Sequence, residues 1–479
     1  MTLFYQQQLI ILLGVCAVWL LVDRKLRSKR EANKQSQHGL SATAASTVSR
    51  LTRQYLLVFA IVMGADWLQG PYIYSLYNSQ YDFPERLVAL LFVTGFLCAG
   101  LTAPLVGAWA DQYGRKRICL VFCITYALAC LCILIPYLPI LLFGRLLGGI
   151  STSILYSGFE SWLISSANSS GLSQSELSTI LGRATLVNGF VATGAGVISN
   201  QLVEYTNSFV SPFMASGLLL LLAWVVIRSA WSENYGTVTP SEKTSSSSAN
   251  FFQVKRLAQA FRIVCSDPKL LVLGLTQTCF EGSMYLFVFL WVPALQESSK
   301  SETLPLGYIF SSFMISMMLG SLFYTSIVSY FQAPSPSDSV KNNNNKSTAD
   351  EPLILHAKLS SLVCAASALT FAITISSEDE HTRFWAFCAF EACVGMYYPV
   401  QGMLRGTLIS NEHRATLSSL FRVPLNIFVV VSLLTGVSSA RYTVLTVSAC
   451  ILSFSSLMTG AVIVGGAEGA GSAHNAHDP

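Results

Sequence analysis

Apolar residues in this 479-residue chain come in long unbroken runs rather than in alternating or half-helical patterns. A helix rises about 1.5 Å per residue, so roughly twenty such residues cross a hydrocarbon layer. Six runs fit at about 54–77, 87–110, 118–136, 139–164, 178–203 and 209–228. Six more follow at about 268–293, 305–331, 357–376, 384–408, 416–436 and 442–464. A shorter run at 9–22 precedes them, followed by Arg24, Lys25, Arg27, Lys29 and Arg30. A cleaved leader carries its cations in front, so this run reads as an uncleaved anchor with its N-terminus outside.

The polar stretches divide the chain. Residues 1–50 read as anchor helix and cytoplasmic linker, 51–228 as a first six-helix bundle, and 229–267 as a second cytoplasmic linker. Residues 268–464 form a second six-helix bundle, and 465–479 a disordered tail. The 229–267 linker, with Thr244 and the four serines after it, is expected to be mostly flexible, with an interfacial helix an option over 251–264. Pro-Ser-Pro-Ser and four consecutive asparagines predict a disordered insertion at 333–352.

Composition agrees: 52% of residues are hydrophobic and 11% charged, against about 25% charged in soluble domains. The class is therefore all-α membrane protein, with the lipid bilayer as its partner. The net charge of +4 does not signal nucleic acid, because the cations cluster between apolar runs. With the anchor N-out, only Arg86, Lys300, Arg383 and Arg441 fall outside, and Arg145, Arg183, Arg405 and Arg422 fall within spans. The remainder of the 29 Lys and Arg lie on the cytoplasmic side, which fixes the orientation and puts the C-terminus there. The 12 cysteines lie in or near apolar runs without metal-ligand spacing, as small packing residues do. No nucleotide loop, nucleophile triad, metal cluster or cofactor motif stands out, so the chain does not read as an enzyme.

Between the second and third long spans lies the pattern Gly107-x-x-x-Asp111-x-x-Gly114-Arg115-Lys116, ending on Arg117. Gly107 permits close helix approach, Gly114 suits a helix end, and Asp111 can cap or pair in the turn. The two halves also repeat one another. Arg183-Ala-Thr-Leu-Val-Asn188 parallels Arg422-Val-Pro-Leu-Asn426, and Asp66 and Glu281 sit in the first spans of their halves. Arg145 with Glu160 and Glu391 with Arg405 occupy the two fourth spans with signs reversed.

The glycine-aspartate-glycine pattern resembles the signature loop of the major facilitator superfamily, departing at Gln112, where that superfamily usually has a cation. Further stretches are similar to the eukaryotic molybdate-anion transporter family. They are Ala65-Asp-Trp-Leu-Gln-Gly-Pro-Tyr72, Tyr156-Ser-Gly-Phe-Glu-Ser-Trp162, Phe280-Glu-Gly, Phe287-Val-Phe-Leu-Trp-Val-Pro293, Pro305-Leu-Gly-Tyr-Ile-Phe-Ser-Ser-Phe313 and Phe421-Arg-Val-Pro-Leu425. This resemblance covers roughly residues 50–460. It implies a facilitator fold of two six-helix bundles plus one additional N-terminal helix, and uptake of molybdate across the plasma membrane by alternating access. Two rivals stay open: a carrier of another anion, a sugar or a drug, and a membrane receptor or scaffold that does not transport.

Ionisable groups in mid-span cost about 2.5–3.5 kcal/mol each on insertion scales and therefore draw functional attention. Molybdate is a tetrahedral dianion, and arginine offers a rigid fork of donors that keeps its proton. Arg183 and Arg422 are the expected anion contacts, with Asn188, Asn426, Tyr72 and Tyr156 as neutral donors. The alternative is that each arginine forms a structural bridge to a carboxylate. Asp66, Glu160 and Glu281 are expected in coupling or gating, protons being the candidate coupling ion, while Glu391 is expected in structural pairing. Gly107, Asp111, Gly114, Arg115 and Lys116 form the expected cytoplasmic gate, with Asp111 meeting the helix that begins near Thr416 beside Arg414. Trp67 and Trp162 are read as packing residues. Gly144, Gly148, Gly149, Ser153 and Ser157, and then Gly189, Gly194 and Gly196, are read as small faces for close helix contact. A monomer is expected.

Overall fold

The computed structural model describes residues 2–32, 42–235, 261–299, 304–331, 350–409, 414–435 and 441–466. Among them the chain is helical almost throughout. Thirteen long helices follow in order: α1 Thr2–Ala32, α2 Ala42–Gln69, α3 Glu85–Tyr113, α4 Arg115–Cys132, α5 Leu138–Ser169, α6 Gln174–Thr206 and α7 Ser211–Ala230. Then come α8 Pro268–Ser298, α9 Leu306–Phe331, α10 Asp350–Ser376, α11 Glu380–Leu408, α12 Arg414–Thr435 and α13 Arg441–Met458, the last continued as a π-turn to Val464. The insertion expected at 333–352 falls mostly outside the described residues, as do 236–260 of the linker and 467–479 of the tail.

Ten of these helices are long and apolar enough to cross a membrane. The other three fall short because of charge or length. Three cations open α4, and α11 carries Glu380, Arg383, Glu391 and Arg405. In α12 the qualifying apolar stretch is only Leu420–Thr435. The first span is longer than its apolar run suggested, reaching Thr2–Asp23. Tyr5, Leu9, Leu12 and Cys16 are its buried stripe, at the three-to-four-residue spacing of one helix face.

Local chemistry sets the helix ends. Ser173 and Glu176 form a reciprocal capping box at the start of α6. Asp267 accepts the Lys269 N–H at 2.9 Å ahead of Pro268, which begins α8. Asn207 ends α6 at a φ of 52°.

The chain divides into two compact units, one of Met1–Lys243 with Ser301–Ile315, the other of Thr244–Lys300 with Ser316–Pro479. In the first, a core around Val58, Phe122, Phe159, Leu163 and Leu220 binds α2, α4, α5 and α7. Helix α5 lies so close to α3 that a Cβ on Gly149 would sit 2.7 Å from the Gly95 carbonyl oxygen. Gly144 and Gly196 are closed in the same way, whereas Gly148 and Gly194 face open space and are not packing contacts. In the second unit, α9 and α11 touch through Gly320 and Gly395, each against the other helix's backbone. Without side chains there, two backbones gain dispersion contact that lipid cannot supply.

Candidate functional site

In the first unit the predicted residues separate into distinct places. Arg183 lies exposed on α6, in an open groove of about 820 Å³ between α2 and α6 that Arg53, Leu56, Glu176 and Val187 also line. One turn and a half further on, Asn188 accepts the Trp67 indole N–H at 2.8 Å. Trp67 therefore has a polar task besides packing against Phe310. Tyr72 does not join them. Its buried hydroxyl donates to Asn200 at 2.9 Å, and Asn200 in turn donates to Glu204 at 2.7 Å. Asn200 stands about 18 Å along α6 from Asn188 by helical rise. Tyr156 and Glu160 are exposed on α5.

Asp66 accepts the Tyr126 hydroxyl at 2.6 Å, a short bond between α2 and α4. Arg145 does not pair with Glu160. Its Nε donates to the Leu91 carbonyl at 3.0 Å, and its guanidinium lies over the Phe92 ring. A guanidinium satisfied by backbone and an aromatic face needs no carboxylate.

The signature loop is built around Gly114, whose φ of 104° is costly for any residue with a Cβ. A side chain there would also meet the Glu233 carboxyl at 2.6 Å. Glu233 belongs to a segment expected to be free linker, and here the structure corrects the sequence. Residues 231–235 lie against the first bundle. Trp231 stacks on Trp162 with ring centroids 3.7 Å apart. Glu233 accepts the Lys116 N–H at 2.8 Å and lies 3.9 Å from Arg117 Nε. The Lys116 ammonium donates to the Trp231 carbonyl at 2.6 Å and to Arg228 at 3.0 Å, and Arg115 N–H donates to Asn234 at 3.0 Å. Apolar stacking and a carboxylate at the positive helix end hold this strand in place. The surroundings of Gly107 and the side chains of Asp111, Arg414 and Thr416 lie outside what is described.

In the second unit Glu281 is the hub. Arg405 Nη2 approaches its carboxylate at 3.7 Å, too far for a hydrogen bond but near enough for an ion pair. The Tyr397 hydroxyl and Gln277 Nε2 each donate to it at 3.3 Å. Arg422 lies within electrostatic reach of the same carboxylate. Arg422 is exposed on α12 and Asn426, one turn on, is half-buried. Tyr397, Gln401 and Arg405 recur every four residues on α11, and Gln277 and Glu281 do so on α8, so two polar stripes face each other. Glu391 is 6% exposed and makes no ion pair or hydrogen bond among the described residues, so the structural pairing expected for it is not seen there.

Sequence reading missed Tyr126, Asn200, Glu233, Tyr397, Gln277 and Gln401. A period-four polar stripe through an apolar run was the available signal for the α11 residues. Glu233 had no local signal, because its partner is 117 residues away in sequence.

Long apolar helices in two units, with ionisable groups held inside them, define a multi-pass membrane protein. Solved structures share the fold: a nucleoside transporter NupG at a TM-score of 0.61 and 11% identity, covering 86% of this chain and 98% of that one. The POT family transporter PepTSo matches at a TM-score of 0.62 and 10% identity, covering 90% and 99%. A family model described as sugar transporters with 12 TM matches residues 10–335. A molybdate-anion transporter of Takifugu rubripes is 30% identical over 432 residues, 87% of this chain and 84% of that protein. One of Xenopus tropicalis is 31% identical over 431 residues, 88% and 86%. The chain belongs to the molybdate-anion transporter family of the major facilitator superfamily.

Proposed function

We propose that this protein carries molybdate into the cell across the plasma membrane by alternating access. The observation that supports the substrate is the roughly 30% identity, over most of the chain, to relatives named as molybdate-anion transporters. The chemistry is consistent with it. Arg183 in one unit and Arg405 and Arg422 in the other put fixed cations in otherwise apolar bundles, as a dianion requires. On this reading Arg183 and Arg422 bind the anion, Asn188, Asn426 and Tyr156 supply neutral donors, and Tyr72 acts from the far end of α6. Asp66, Glu160 and Glu281 serve coupling or gating, with protons as the coupling ion. Gly107, Asp111, Gly114, Arg115 and Lys116 form the cytoplasmic gate of a monomer whose N-terminus is outside and C-terminus inside. Residues 51–228 and 268–464 act as its two bundles.

The family description as sugar transporters favours a second reading, in which the solute is neutral. Purified protein in proteoliposomes separates them. Molybdate uptake that unlabelled sugar leaves untouched is the expected result. Sugar uptake without molybdate uptake would replace the reading, and no uptake of either would point to a receptor.

A further inference from the structure

Several polar atoms of the α8–α11 seam are buried without partners. Gln401 is 1% exposed, and among the described residues neither its Oε1 nor its Nε2 has a hydrogen bond; the same holds for Gln277 Oε1 and Arg405 Nε. Each such atom carries a desolvation penalty that an apolar residue would avoid. They cluster. Gln401 lies one helical turn from Tyr397 and from Arg405, both of which contact Glu281, and Gln277 lies one turn from Glu281. The bonds holding Glu281 are long, at 3.3, 3.3 and 3.7 Å, and the Arg405 side chain is a quarter exposed. Arg405 is thus a guanidinium loosely held by one carboxylate, with a free donor and two amides beside it.

We propose that Arg405 binds the transported oxyanion and that Glu281 occupies its guanidinium in the empty protein, Gln401 and Gln277 completing the donor set. This rests on the molybdate reading and deepens it. Carboxylate and oxyanion have the same charge and the same demand for donors, so they compete for one guanidinium. When a dianion takes Arg405, Glu281 loses its partner and binds one proton from the outer solution, which it releases inside when the anion leaves and the pair re-forms. Each dianion then enters with one proton, and a net charge of −1 moves. The groups facing Glu281 are Gln277 and Tyr285 on α8, Tyr397 and Arg405 on α11 and Arg422 on α12. Ser455 of α13 and Thr459 of the π-turn after it are neutral and hydrogen-bonded to Thr276. Glu281 is therefore the one acid in this set, and it sets the sign: anion binding tightens as pH falls.

The full-length protein is tested by molybdate uptake in proteoliposomes and by molybdate-induced thermal stabilisation in detergent, at mildly acidic and mildly alkaline pH. Wild type should bind more tightly at acidic pH, and Glu281→Gln should remove that difference while still binding. Gln401→Leu should weaken molybdate binding by about tenfold or more, the scale of one charge-assisted hydrogen bond. Its melting temperature without molybdate should be equal or higher, because an unpartnered amide has been removed. A merely structural amide would give the opposite: lower melting and unchanged affinity. Wild-type uptake with Glu281→Gln keeping the full pH dependence, or with Gln401→Leu binding normally, overturns the site alone. A wild type that neither transports nor is stabilised by molybdate overturns the functional reading and the site together.

Discussion

Glu233, three residues beyond the end of α7, accepts the backbone N–H of Lys116 in the first turn of α4 at 2.8 Å. One carboxylate thereby caps a helix, faces Arg117 and fills the space that Gly114 leaves empty.

Replacing Glu233 by Ala should lower stability by about 0.5–2 kcal/mol, the range for a lost helix cap. Limited trypsin digestion should cut faster after Arg115, Lys116 and Arg117. Gly114→Ala should also destabilise, through its φ of 104° and the 2.6 Å approach to Glu233. The two changes together should cost less than their sum, since Glu233→Ala removes the clash. Additive melting shifts would show that the carboxylate and the glycine are independent.

The Arg183 and Arg422 proposal makes a separable claim. Lysine at either position keeps the charge and loses the fork, so molybdate affinity should fall by about 1–3 kcal/mol. Glutamine should abolish uptake with near-normal expression. Arg422→Gln has an informative partner in Glu281, which it faces electrostatically. If Arg422 is a structural bridge, Arg422→Gln should melt early and Glu281→Gln should restore it. Normal uptake in both single glutamine variants would end the anion assignment.

Asp379, in the loop before α11, accepts the Thr382 hydroxyl and the Thr382 N–H, both at 2.8 Å. The Thr382 hydroxyl bond and then the backbone bond hold its carboxyl below the usual carboxylate range. A depressed folded pKa stabilises above the unfolded pKa, and that stability is lost as pH falls through the folded one. The protection factor against hydrogen exchange in the first turn of α11, corrected for the intrinsic rate at each pH, should therefore fall on acidification below the ordinary carboxylate range. Asp379→Asn, a cap without a charge, should show no such dependence.

Orientation is checked by glycosylation. Asn168, exposed in the last turn of α5, begins the sequon Asn168-Ser-Ser, and the other sequon, Asn345-Lys-Ser, lies outside the described residues. With the N-terminus outside, both stay in the cytoplasm and carry no glycan. A mass shift removed by glycosidase at either position, in correctly inserted protein, would reverse the topology.

The sequence by itself determined the helices and the family. Lipid requires every backbone polar group to be satisfied within a segment, so unbroken apolar length forces a helix wherever it occurs. The Gly114 turn was legible too, because only that residue tolerates its φ, and so was the ion pair's acid, because Glu281 stood out in an apolar run. What acid and cation each find as partner was decided by tertiary structure. Arg145 turned to Leu91 and Phe92 rather than to Glu160, Tyr72 to Asn200 rather than toward Asn188, and Glu281 to Arg405. Helical rotation sets which face a side chain occupies, and packing sets which neighbour that face meets. A one-dimensional pattern carries the first of these and not the second. The Glu233 strap is the clearest case: five residues that read as linker are ordered because Trp231 finds Trp162 and Glu233 finds a helix end.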